Sequence, residues 1–137
     1  MSRVTEAEVL AVNSAFYRAF ARRDVAAIEA LWARTLPVAC IHPGWAPLRG
    51  RERVLASFRA VLANPRSPEI TESAATVHLV GESAFVICYE SIPGAKLVAT
   101  NVFGKEDGAW KLVHHQAGPV AGEEDEKEKT PEPGALN

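Results

Sequence analysis

An Asp107-Gly108 pair near the end of the chain constrains the fold more than any other feature. It separates two segments, residues 98–106 and 109–118, whose side chains alternate in character. A tight type I′ turn needs positive φ at both central residues, and Asp-Gly supplies it, so the stretch reads as a β-hairpin. With the turn centred there, Glu106 faces Ala109, and the pairs step outward as Phe103 with Leu112, Asn101 with His114, and Ala99 with Gln116. Strand side chains alternate between faces. One face then carries Ala99, Asn101, Phe103, Trp110, Leu112, His114 and Gln116, and the other carries Val98, Thr100, Val102, Lys111, Val113 and His115. The first face is apolar near the turn and polar further along. That is the mixture a ligand pocket needs, although a half-exposed sheet face with its polar end in water fits the same pattern. A slip of one residue in either strand would exchange the two faces.

The segments before the hairpin run from helical to strand periodicity. Thr5 and Glu8 have the spacing of a capping box. A helix is expected to follow to about Arg22, with Val9, Val12, Phe16 and Phe20 on one face and Tyr17 on its flank. Asp24 can cap a second, short helix over residues 25–33, with Ile28, Leu31 and Trp32 as its apolar side. Residues 36–42 read as a short strand that runs into the Pro43-Gly44-Trp45 loop. Gly50 precedes a third helix over 51–63, which Asn64-Pro65 stops. Residues 69–80, 83–92, 95–104 and 109–117 then read as four strands joined by short turns. Helices first and strands last argue an α+β fold, with the helices packed on one face of an antiparallel sheet.

Length and charge exclude several classes. A chain of 137 residues with 47% hydrophobic residues suits one domain with a packed core. The net charge of −2 is concentrated in an acidic C-terminal stretch, residues 119–137, which reads as a disordered tail. No basic stripe argues for nucleic acid. No apolar run is long enough to cross a bilayer, and the N-terminus lacks the apolar core of a signal peptide. Cys40 and Cys88 lack metal-type spacing and read as buried free thiols of a cytoplasmic protein. The adjacent His114 and His115 point to opposite faces of a strand and cannot share a metal, so no metal site is expected.

The element order, the His42-Pro43-Gly44-Trp45 loop and the hairpin from Thr100 to Gln116 together resemble the nuclear transport factor 2-like superfamily. The hairpin is similar to the end of SnoaL-like domains and to the corresponding hairpin in the association domain of calcium/calmodulin-dependent kinase II. The segment from Ala15 to Asp24, followed by Leu31-Trp32, is also typical of SnoaL-like chains. The resemblance covers nearly all of residues 4–119 and assigns 1–118 to one SnoaL-like domain. It implies a cone-shaped, cystatin-like fold in which three N-terminal helices pack on a strongly curved antiparallel sheet around a deep pocket. It also implies a homodimer through the outer sheet face, and inward positions for Asn101 and Glu90. Ketosteroid isomerases belong to this superfamily. Their catalytic Asp stands near the place of His42, and their helix Tyr near Tyr17. Their second acid falls at about Ala99, which argues against isomerase chemistry by that route.

These positions define the candidate site. His42 reads as a general base at the pocket mouth, since imidazole titrates near neutrality, or as a loop histidine bonded to nearby backbone. Glu90 with His114 reads as an acid–base pair, or as a structural pair that satisfies buried polar groups. Asn101 and Gln116 can fix a ligand oxygen, or bond across strands. Tyr17, Trp32, Trp45, Phe58 and Phe103 read as pocket wall or as ordinary core, with Trp45 covering the opening. The expected ligand is a small, largely apolar organic molecule, handled without metal or organic cofactor. The expected function is lyase- or isomerase-type proton transfer; the alternative is a non-catalytic binding or assembly domain.

Overall fold

The computed structural model describes residues 2–121, with side chains described from residue 5. The chain runs α1 (Ser2–Ala21), α2 (Val25–Leu31), β1 (Ala39–Ile41), β2 (Leu48–Arg49), α3 (Arg51–Ala63), β3 (Thr71–Val80), β4 (Ser83–Ile92), β5 (Ala95–Glu106) and β6 (Ala109–Pro119). Most of the acidic tail expected over 119–137 lies outside the described residues. Helix α1 begins at Ser2, so Thr5 lies within the helix rather than at its cap. No Pro or Gly precedes Thr5 to stop the helix from extending.

The cap of α2 is as the sequence indicates. Asp24 Oδ1 accepts from the Ala27 amide at 3.1 Å and satisfies one of the unpaired amides of the first turn. Two arginines fasten the helices by their carbonyl ends. Arg51 donates to the carbonyls of Glu29 in the last turn of α2 and of Trp32 and Ala33 just beyond it, and Arg23 to those of Leu62 in the last turn of α3 and of Asn64 and Ser67 beyond it.

The strands form one curved, unclosed sheet in the order β2-β1-β6-β5-β4-β3. The four long strands are antiparallel neighbours, while the short β1 joins β6 in parallel. The helices cover one face. Between them and the sheet lie Phe16, Ile28, Trp32, Val54, Phe58, Val86, Phe103 and Leu112, all buried. The β5–β6 turn has φ of 55° at Asp107 and 80° at Gly108, both positive as a type I′ turn requires.

The hairpin register follows the sequence reading as far as Phe103 with Leu112, and then departs from it. A bulge in β6 at Val113 makes Val102 pair with His114, Asn101 with His115, Thr100 with Gln116 and Ala99 with Ala117. An extra residue on one strand reverses the facing of every residue beyond it. His115 and Ala117 therefore point under the helices, and His114 and Gln116 lie on the outer face. The shift leaves the Gln116 amide exposed and puts a small apolar side chain inside instead. It also aligns Cys40 of β1, His115 of β6, Asn101 of β5 and Val86 of β4 in one inward row.

Candidate functional site

A cavity of about 500 Å³ opens between the C-terminal half of α1, α3 and the far ends of β4, β5 and β6. Its wall is mostly apolar, built from rings such as Phe16, Phe20 and Phe58 and from aliphatic residues such as Ile70, Ile92 and Leu97. Tyr17, His42, Glu90 and His115 bring the titratable groups to this wall. Trp45 stands at the rim, 47% exposed, with its ring 4.8 Å from His42 in an edge-on contact.

Of the residues singled out in the sequence, Tyr17, His42, Trp45, Phe58 and Glu90 line this cavity. Trp32 and Phe103 are fully buried core and do not reach it. Asn101 is also fully buried, one layer behind the wall. His114 and Gln116 are excluded by the bulge, and His115 takes the position expected of His114.

Glu90 anchors the polar end. Its Oε2 accepts from the Tyr17 hydroxyl at 2.6 Å and lies 3.9 Å from His115 Nε2. Burial pushes the Glu90 pKa up. The Tyr17 hydrogen bond opposes that shift, and the nearby Glu72 adds to it. The Tyr17 hydroxyl is held neutral by the same burial and by the charge of Glu90. The hydroxyl also accepts from Asn101 Nδ2 at 3.1 Å and from the Cys88 thiol at 3.4 Å.

His115 Nδ1 lies 2.5 Å from Asn101 Oδ1. A carbonyl oxygen only accepts, so Nδ1 carries the proton. Burial, with smaller contributions from His42 and His114, pushes the pKa of His115 down to about 3. The ring is therefore neutral near pH 7, and its lone pair sits on Nε2, on the side of Glu90.

His42 is arranged differently. Its Nε2 lies 2.9 Å from Ser57 Oγ, whose own proton goes to the Val54 carbonyl at 2.6 Å. Nε2 therefore donates to Ser57, and the Cys40 sulfur lies 4.0 Å from Nδ1. Burial lowers its pKa as well. The loop histidine is bonded to a helix side chain rather than to nearby backbone. The thiols of Cys40 and Cys88 are pushed up to about 12 and about 11, first by burial, and so are not activated nucleophiles. Among the described residues no cluster of three His, Cys, Asp or Glu is placed to hold a metal ion.

The sequence reading passed over Asn13, which is fully buried on α1 and bonded to both Asn101 and Glu72. The signal was available, since Val9, Asn13, Phe16 and Phe20 share helical spacing and an amide in such a stripe has to find a buried partner. Glu72 of β3 was passed over for the opposite reason. Nothing in an alternating edge strand marks one acid as turned inward.

Comparison with known proteins agrees with the architecture. The profile of the SnoaL-like domain family matches residues 9–122. A candidate dehydratase of the nuclear transport factor 2-like family from Streptomyces avermitilis is 33% identical, with a TM-score of 0.81 over 89% of this chain and 100% of that one. A candidate calcium/calmodulin-dependent kinase II association domain from Thiobacillus denitrificans is also 33% identical, with a TM-score of 0.71 over 80% of this chain and 93% of that one. The F-box protein SKIP8 of Arabidopsis thaliana is 24% identical over 115 residues, 82% of this chain. The chain spans about half the length of that curated relative, 50%. Among the described residues no helix is long and apolar enough to cross a membrane.

Proposed function

The chain belongs to the SnoaL-like domain family, and from that premise we propose that its cavity binds a small, largely apolar organic molecule and eliminates water from it. The observation that carries this reading is the placement of His115 Nε2 3.9 Å from a buried Glu90 in a mostly apolar cavity, with Nδ1 committed to Asn101; burial, which lowers the His115 pKa, favours the neutral ring. A base and an acid with pKa values pushed in opposite directions can divide a proton transfer between them. His115 Nε2 takes a proton from a carbon next to a carbonyl. The electron pair forms the carbon–carbon double bond, and the β-hydroxyl leaves with the proton of the Glu90 carboxyl as water. His115 then returns its proton to Glu90, and neither metal nor organic cofactor is consumed. His42, with Nε2 committed to Ser57, serves as wall rather than base. The likeness to a candidate dehydratase supports the same reaction class.

The test is a panel of β-hydroxy carbonyl compounds, followed by absorbance of the conjugated product. His115→Ala and Glu90→Gln are each expected to lower kcat by about 10²-fold or more. Full activity in both variants would overturn the assignment. One observation favours a binding-only domain: Tyr17, Glu90 and Asn101 already satisfy one another. Tight binding of a panel compound without turnover would decide for that reading.

The outer sheet face carries Phe85, Ile87, Tyr89, Val98 and Val102, of which Ile87 and Val98 are 38% and 37% exposed. This apolar face supports a homodimer, which sedimentation at micromolar concentration tests.

A further inference from the structure

We infer that Asn13 and Asn101 are positioning residues that hold His115 in its Nδ1–H tautomer, and that Glu72, outside the cavity, fixes which way both amides point. Glu72 lines a second, open pocket of about 330 Å³ between α1 and β3, together with Ser14 and Arg18. Burial raises the pKa of Glu72, while the Asn13 hydrogen bond and the nearby Arg18 favour its ionised form, which accepts hydrogen bonds and donates none. Asn13 therefore turns its Nδ2 to Glu72 Oε2, at 2.9 Å, and leaves Oδ1 for Asn101. Asn101 answers with Nδ2 at 2.9 Å, which leaves its own Oδ1 for His115 Nδ1. Each amide passes on the polarity it receives.

A second acidic side chain imposes the same order. Tyr17 donates its hydroxyl hydrogen to Glu90 Oε2, which accepts it whether or not the other carboxyl oxygen carries a proton, so the hydroxyl oxygen is left to accept from Asn101, whose Nδ2 lies 3.1 Å away. Reversing Asn101 would set its Oδ1 against Asn13 Oδ1 and its Nδ2 against the His115 N–H. In a fully buried site such a clash has no water to relieve it. Neutral imidazole free in water favours the Nε2–H form. The chain of amides holds His115 in the other tautomer, with the unprotonated nitrogen beside Glu90. Its catalytic importance rests on His115 acting as the base; the tautomer itself does not.

The experiment is long-range nitrogen–proton correlation on the full chain labelled at histidine, with His115→Gln used to assign the resonance. No ligand is needed. In the unsubstituted protein near neutral pH, Nδ1 of His115 is expected at the protonated nitrogen position and Nε2 at the unprotonated one. Glu72→Gln, whose amide oxygen can still accept, is expected to keep that pattern. Glu72→Lys, which presents a donor to Asn13, is expected to move part of the population to Nε2–H, and Asn101→Leu most of it. An Nε2–H form in the unsubstituted protein would overturn the inference even if Asn101→Leu fails to fold. A pattern that Glu72→Lys leaves unchanged would overturn the role of Glu72. If the tautomer is as expected and no β-hydroxy carbonyl compound is turned over, the proposed reaction fails and this assignment stands. If both hold, Asn101→Leu is expected to lower kcat about 10²-fold with little change in KM.

Discussion

Replacing His115 with Gln should make the protein less sensitive to acid. The imidazole is buried and uncharged, with its pKa pushed from 6.5 to about 3, mainly by loss of hydration. Between those values the unfolded chain takes up a proton that the folded chain refuses. His115 therefore leaves stability intact above 6.5 and withdraws it as pH falls toward 3. Each unit in that interval is worth about 1.4 kcal/mol, so going from about pH 7 to about pH 4.5 removes roughly 2.5 kcal/mol. That figure barely changes if the folded pKa lies a unit higher, because the unfolded chain sets the upper edge of the window. His42, buried with its pKa lowered, acts in the same direction. Glu90, with its pKa raised, acts in the opposite one, since its contribution falls as pH rises through its titration. The difference between the original protein and His115→Gln removes most of these shared contributions, and the Gln amide can still donate to Asn101. Urea unfolding at both pH values gives the two losses. A loss in the variant within about 0.5 kcal/mol of the original would refute the claim that His115 is buried neutral.

Three further outcomes are expected. Tyr17→Phe removes the hydrogen bond that holds the Glu90 pKa down, so Glu90 should titrate at higher pH; carbon NMR of its carboxyl tests this, and an unchanged midpoint counts against the contact. Asp24→Ala should cost about 1 kcal/mol in urea unfolding through loss of the α2 cap, and a neutral result would mean that water replaces it. Ile87→Lys should convert the proposed homodimer to a monomer in sedimentation, and a dimer that persists in the variant would count against the outer sheet face as its interface.

The sequence alone determined the α+β order, the α2 cap, the Asp107-Gly108 turn and the register as far as Phe103 with Leu112. Each of these depends on neighbours a few residues apart, where periodicity and turn chemistry act. It also selected Tyr17, His42, Phe58 and Glu90, which line the cavity. Only the tertiary structure decided which of two adjacent histidines faces inward. A bulge adds one residue without leaving a turn signal, and only the pairing of β6 with both β5 and β1 shows where it falls. The same holds for Trp32 and Phe103, for which the sequence leaves cavity wall and core both open and which are core, and for Asn101, whose amide is buried and bonded across strands to His115. Whether an inward side chain meets a void or another side chain depends on the volumes of all the elements around it, and no local pattern carries that sum.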